Sequence, residues 1–206
     1  SITPSGVYRI LHNFGDHSGD GASPTGGFAV VNGVLYGVTV LGGTHGYGTV
    51  FRLTTSGNET VLHSFAGGAD GYNPVYRPTY FNGMLYGTTA GDGSTNFGTI
   101  YRISTEGAES VIHRFSNPGP SYPASGLAVL NGTLYGSTSS GGKLNLGTIY
   151  SVTSGGAVTI LHEFAGAPND GATPYLSNLT ALNGALYGVT EAGGTSNKGV
   201  AFSLRP

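Results

Sequence analysis

Residues of alternating polarity flank a six-residue stretch, Asn-Gly-x-Leu-Tyr-Gly, that the chain uses four times: Asn32 to Gly37, Asn82 to Gly87, Asn131 to Gly136 and Asn183 to Gly188. Alternation with a period of two puts successive side chains on opposite faces of an extended strand. Asn-Gly between two such runs predicts a two-residue hairpin, because both central residues of a type I′ turn need positive φ. No helical periodicity interrupts the pattern. Four copies at near-constant spacing make a repeat architecture the first expectation.

Two further elements recur. Gly-Thr-Val-Phe-like runs stand at Gly48 to Phe51, Gly98 to Tyr101, Gly147 to Tyr150 and, degenerate, Gly199 to Phe202. His-x-Phe endings stand at His12-Asn13-Phe14, His63-Ser64-Phe65, His113-Arg114-Phe115 and His162-Glu163-Phe164. Each repeat thus offers four strands: one before Asn-Gly, one through Leu-Tyr-Gly, one through Gly-Thr-Val-Phe and an outer one ending in His-x-Phe. The stretch from each Tyr-Gly glycine to the glycine opening strand three never changes length, whereas that from each His to the next Asn-Gly does. Connections between packed units absorb length changes better than hairpins within a unit, so the variable Asp-Gly-x-x-Pro loop is the expected joint.

The expected fold is all-β, a single-domain four-bladed β-propeller over 1–206 with four antiparallel strands per blade. Its blades would span about 24–65, 74–115, 123–164, and 174–206 completed by 1–14. The orphan strand Val7–Phe14 would close the ring against Val200–Leu204, as propellers lock their ends. Alternate connections of an antiparallel meander lie on opposite ends. The long loops therefore share one end, where binding sites tend to sit.

Composition narrows the function classes. Charged residues are 9% of 206, the net charge is −2 and no basic block exists, so nucleic acid and anionic membranes are not expected partners. Thirteen Tyr and nine Phe rule against disorder. The absence of Cys excludes disulfides and thiolate metal sites. No run has the length of a membrane span, and no signal peptide is visible. The start at Ser1 and a surface rich in Ser, Thr, Gly and Tyr lead us to expect a processed, secreted or cell-surface monomer without cofactor.

Taken together, Leu-Tyr-Gly-x-Thr, Gly-Gly, Gly-Thr-Val-Phe, Ser-x-Gly, Leu-His-x-Phe and Asp-Gly-x-x-Pro resemble the GloVer-type tandem repeats of bacterial choice-of-anchor surface proteins, over essentially the whole chain. The resemblance implies an exported bacterial repeat protein and brings no catalytic residues. The departures are local. Val75-Tyr76-Arg77-Pro78 replaces the glycine that stands at Gly27 and Gly126, the third copy lacks Asp-Gly, and the fourth has lost the Thr of Gly-Thr.

Among candidate site residues, His12, His63, His113 and His162 recur at one outer-strand position. They read as partners of their own loops rather than a metal ring, because outer strands lie farthest from the axis. The Asp-Gly pairs read as turn chemistry. Residues that break the repeat carry more information. Asp16, His17, Asp20 and His45 are weak metal candidates, being imidazoles and carboxylates on two neighbouring loops. Tyr72, Tyr76, Arg77 and Tyr80 bring rings and a guanidinium to the start of an inner strand, joined by Tyr47 and Phe97 at a repeat position that differs in every copy. Aromatic faces stack on sugars, and a guanidinium forks onto carboxylate or sulfate. The expected function is a lectin-like, carbohydrate-binding module. The alternatives are a polysaccharide lyase, with Arg77 neutralising a uronate and Tyr76 or His17 as acid and base, or a display repeat without small ligand.

Overall fold

All four Asn-Gly pairs take the expected left-handed conformation, with φ of +48° to +50° at the asparagines and +74° to +81° at the glycines. The computed structural model describes residues 6–91, 97–175 and 178–206. Its strands form four antiparallel units. The first is β1 (Gly21–Val31), β2 (Val34–Gly42), β3 (Thr49–Leu53) and β4 (Glu59–Ser64), paired in chain order. In the second, β5 (Tyr72–Pro74) and β6 (Thr79–Phe81) share β7 (Met84–Gly91), followed by β8 (Thr99–Ile103) and β9 (Glu109–Arg114). The third repeats this with β10 (Ser121–Pro123), β11 (Ala128–Leu130), β12 (Thr133–Ser140), β13 (Thr148–Val152) and β14 (Val158–Glu163). In the fourth, β15 (Gly171–Ala172) pairs with β18 (Ala192–Gly193), while β16 (Thr180–Leu182), β17 (Ala185–Val189) and β19 (Ala201–Leu204) form a separate sheet. Among the described residues the helical content is one 3₁₀ turn, Gly68–Asp70, and no helix is long and apolar enough to cross a membrane.

The repeated signatures are packing solutions. A Cβ on Gly87 or Gly136 would collide with the ring of Tyr101 or Tyr150 from the third strand. The glycine of Leu-Tyr-Gly is therefore the recess in which that ring lies. The Thr of Gly-Thr faces a second threonine across the sheet, with Oγ1 atoms 2.8 Å apart at Thr39–Thr49, Thr89–Thr99 and Thr138–Thr148. All six are buried, and each pair satisfies hydroxyls that would otherwise cost about 1–3 kcal/mol.

The core lies between neighbouring units. Tyr86, Ile100 and Phe115 of the second unit pack on Leu127, Leu134 and Tyr150 of the third. Equivalent clusters join the first to the second and the third to the fourth. The outer Phe of each unit meets the third-strand aromatic of the next, edge-on, at 5.2–5.5 Å (Phe65–Tyr101, Phe115–Tyr150, Phe164–Phe202). Such pairs add about 0.5–1.5 kcal/mol beyond burial.

The closing strand expected at Val7–Phe14 is not formed. The first strand is β1, and β19 has β17 as its sheet partner with no further described strand beyond it. The cause is local. Residues 9–14 are held by the first unit, where Arg9 Nη2 donates to Ser56 O (2.8 Å) and Phe14 packs on Phe51 at 5.0 Å. The Leu11 carbonyl also lies against Gly57, where a Cβ would sit 2.6 Å from its oxygen. Leu62 stands in the same way against Gly107, and Ile112 against Gly156. The segment therefore takes the place, beside the first unit, of a preceding unit's outer strand, without reaching β19.

Candidate binding site

The joints between units set the geometry of the long-loop end. Where strand three begins, the chain offers a carbonyl to the next unit: Asn73 N–H donates to Tyr47 O (2.9 Å), Tyr122 to Phe97 O (2.9 Å) and Thr173 to Leu146 O (2.8 Å). The donor residue precedes a proline whose ring packs on Gly48, Gly98 or Gly147 of the preceding unit. Asn73, Tyr122 and Thr173 at the three joints, and Ser23 at the same repeat position of the first unit, have positive φ, +52° to +58°. Asparagine tolerates that region, whereas a bulky side chain there is an outlier that costs about 1–2 kcal/mol.

At the joint between the second and third units this construction encloses a groove of about 270 Å³. Tyr76, Tyr122 and Tyr175 supply rings, Ser139 and Ser140 supply hydroxyls, and Val75, Ala90 and Pro123 complete the lining. Tyr76 is buried, while Tyr122 and Tyr175 are 41% and 50% exposed. Ser139 Oγ donates to Tyr122 O at 3.3 Å, and Phe97 stands edge-on behind the Tyr122 ring at 5.8 Å. The groove thus offers two open aromatic faces, a buried one and hydroxyl partners.

A second cavity, about 320 Å³, lies among the inner strands and is lined by Arg77, Thr79, Asn178, Thr180 and residues 126–129. Asn178 Oδ1 accepts from Gly126 N–H (3.0 Å), which fixes the amide. Arg77 is exposed and makes no ion pair among the described residues. In the bend between β5 and β6, Tyr76 lines the groove and Arg77 lines the inner cavity.

The six residues singled out in the sequence do not form one site. Tyr76 lines the groove, and Phe97 backs it. Arg77 and Tyr80 share a shallower inner recess with Phe28, Val30 and Pro78. Tyr47 and Tyr72 pair with each other at 6.0 Å across the first joint, with Tyr72 over Gly91. Sequence reasoning missed Tyr122, Tyr175, Ser139 and Ser140. The available signal was Tyr122-Pro123, a bulky residue at a repeat position otherwise held by Ser23, Asn73 and Thr173.

The weak metal candidates do not converge. Asp20 is buried and accepts from Gly15 N–H (2.6 Å) and Asp16 N–H (3.3 Å), while its carboxylate meets His12 Nε2 at 3.2 Å. Asp16, His17 and His45 are exposed, and His17 approaches Asp20 only to 4.0 Å. The same clamp recurs as His63–Asp70 (3.1 Å) and His162–Asp170 (3.0 Å), each Asp also accepting a loop N–H from Ala66 or Ala165. Repeat histidine and Asp-Gly are thus one device. In the third copy His113 has lost that aspartate, and burial lowers its pKa. Glu59 and Glu109 come within 4.8 Å of the first two clamps, and burial pushes Glu109 up to about 7.

The family model described as the Gloeobacter/Verrucomicrobia repeat matches residues 1–202. None of the curated proteins matches the sequence. Among solved structures, the chain is similar to a protein described as a gluconolactonase, at 16% identity and TM-score 0.47, covering 84% of this chain and 60% of that one. It is similar to the alpha-L-arabinofuranosidase CtGH43 of Clostridium thermocellum, at 15% identity and TM-score 0.46, covering 94% of this chain and 71% of that one. It is also similar to GH43B of the Bacteroides ovatus xyloglucan PUL, at 15% identity and TM-score 0.49, covering 89% and 41%. The chain spans 60% of the first of these structures.

Proposed function

The chain belongs to the Gloeobacter/Verrucomicrobia repeat family, and from that premise and the tyrosine-lined groove we propose that it is a secreted or cell-surface carbohydrate-binding module whose four units stand as blades of a propeller-like arc. The observation that carries the proposal is Tyr122. Tyr122 puts a large ring, backed edge-on by Phe97 and open on the groove side, at a left-handed position where three other copies hold Ser, Asn or Thr. Strain retained beside a cavity is a mark of function. Rings presented with hydroxyls suit a pyranose, whose C–H face stacks on an aromatic while its rim exchanges hydrogen bonds.

Arg77 and Asn178, in the adjoining inner cavity, favour a ligand that carries carboxylate or sulfate. Binding is then uneven among the units and centred on the second and third. Acid–base chemistry would need a carboxylate, imidazole or phenol within hydrogen-bond reach of the same ligand. The cavity around Arg77 is lined by Thr, Asn, Gly and apolar residues, while Tyr76 lines the neighbouring groove and His17 stands on the first unit's loop. That contrast favours binding over the lyase alternative. A glycan array of neutral, uronate and sulfated polymers tests the reading. Retention of acidic polymers that weakens as salt rises is expected, and absence of binding across the array would overturn it.

A further inference from the structure

Each joint between units is built from two matching halves, and among the described residues the first and fourth units each leave one half uncovered. The trailing half of a unit includes the residue before Asn-Gly, the Tyr of Leu-Tyr-Gly, the residue two beyond it and the third residue of Gly-Thr-Val-Phe. In the first three units the tyrosine is 4%, 2% and 6% exposed (Tyr36, Tyr86, Tyr135), because the next unit covers it. The same residue of the fourth unit, Tyr187, is 39% exposed. Val189 is 52% exposed where Val38, Thr88 and Ser137 are buried, and Leu182 is exposed where Val31 and Leu130 are buried. A recess lined by Tyr187, Val189, Ala201 and Phe202 remains on this face.

The leading half lies open at the other end. Phe28 is 41% exposed where Leu127 and Leu179 are buried against the preceding unit. Leu35 is partly exposed where Leu85, Leu134 and Leu186 are fully buried. One element of this joint is already in place: Phe14 packs on Phe51 as Phe65, Phe115 and Phe164 pack on the unit that follows each of them.

We propose that a second copy of this chain docks head to tail, its first unit and residues 10–14 covering the trailing face and the β19 edge of the fourth unit. The argument is continuity with an established interface: the exposed halves carry the residue types that form three joints within the chain, at the same repeat positions. The repeat register aligns Ala201 with His12 and Phe202 with Ile10 of the second copy, as Val50 pairs with His63 and Ile149 with His162. Such a heterologous contact closes into a ring or grows as a chain according to its rotation. It also removes an exposed sheet edge, which is otherwise an aggregation hazard. The proposal replaces the monomer expected from a closing strand, and it is independent of the glycan reading.

Sedimentation velocity and light scattering over a concentration series of the 206-residue chain test it. Species of two or more chain masses are expected, shifting to monomer in the tail-blocked variant Tyr187→Asp/Val189→Asp and in the head-blocked variant Phe28→Asp. Mixing the two blocked variants should give a one-to-one dimer and nothing larger, because each retains the complementary half; that recovery also shows that both fold. Monomer at every concentration of the unaltered chain would overturn the proposal, as would assembly that persists in the tail-blocked variant.

Discussion

The first and second joints of the long-loop end share a backbone and differ in what they hold. At both, a left-handed residue donates to the carbonyl before strand three at 2.9 Å, and a proline packs on the following glycine. At the first joint the residue is Asn73, and beside it Tyr47 packs on Tyr72. At the second it is Tyr122, and beside it is a groove faced by Tyr76 and Tyr175. The backbone therefore answers to the joint and the side chains answer to something else. A scaffold requirement repeats in every copy, so a large, half-exposed ring that one copy alone carries at this position is where a separate demand acts.

The comparison can be broken at its shared part. Gly98 lies at φ +87°, and a Cβ there would sit 2.5 Å from Pro123 Cδ and 2.6 Å from Thr89 O. Gly98→Ala should cost about 3 kcal/mol, measured by denaturant unfolding, and lose the groove with the joint. Gly46→Ala, on the same loop end with nothing within 4 Å of its Cβ, pays only the left-handed penalty of about 1 kcal/mol.

Changing the side chain alone sharpens the comparison. Tyr122→Asn converts the second joint to the residue of the first. It should leave stability within about 1 kcal/mol, because relief of the left-handed penalty offsets the lost contact with Phe97, while removing glycan binding. A variant unchanged in melting and silent on the array separates the two demands.

The clamps supply a pH dependence. Burial disfavours the charged imidazolium of His63, but the hydrogen bond and charge of Asp70 outweigh it and raise the His63 pKa above 6.5. Burial likewise opposes ionisation of Asp70, and His63 with the Ala66 N–H outweighs it, lowering that pKa below 3.8. The raised His63 contributes stability below its unfolded pKa that is lost as pH rises through its folded one. The lowered Asp70 contributes stability that is lost as pH falls below 3.8. Glu109, held near 7, binds a proton in the fold that the unfolded chain releases, so stability also falls between about 4.5 and 7. Melting temperature should therefore drop from pH 5 to pH 8, and Glu109→Gln should flatten the lower part of that slope.

The smallest structural effect is expected at Arg77. It is exposed and unpaired among the described residues, so Arg77→Ala should leave stability within about 0.5 kcal/mol, while binding of acidic glycans loses its salt dependence.

The hairpins, the strand order within units and the joint loop were legible because each depends on local chemistry: positive φ at Asn-Gly, a glycine under a ring, paired threonines. Tyr76 was legible as a break in the repeat. Its partners Tyr122 and Tyr175 were not, because they belong to other copies and are brought together only by the joints. The N-terminal segment misled for a related reason. Its His12-Asn13-Phe14 ending identifies an outer strand, but sequence register does not say whether that strand holds the unit behind it or the one ahead. Contacts with Ser56, Gly57 and Phe51 hold it to the one ahead.

The central claim, that the second joint is a sugar site built on a shared scaffold, is tested most directly by calorimetric titration of one array-selected oligosaccharide into the unaltered protein and into Tyr122→Asn. Measurable binding to the first and at least a hundredfold loss in the second are expected, with a melting temperature within a few degrees of the unaltered protein's. Undiminished affinity in a folded Tyr122→Asn variant would contradict it.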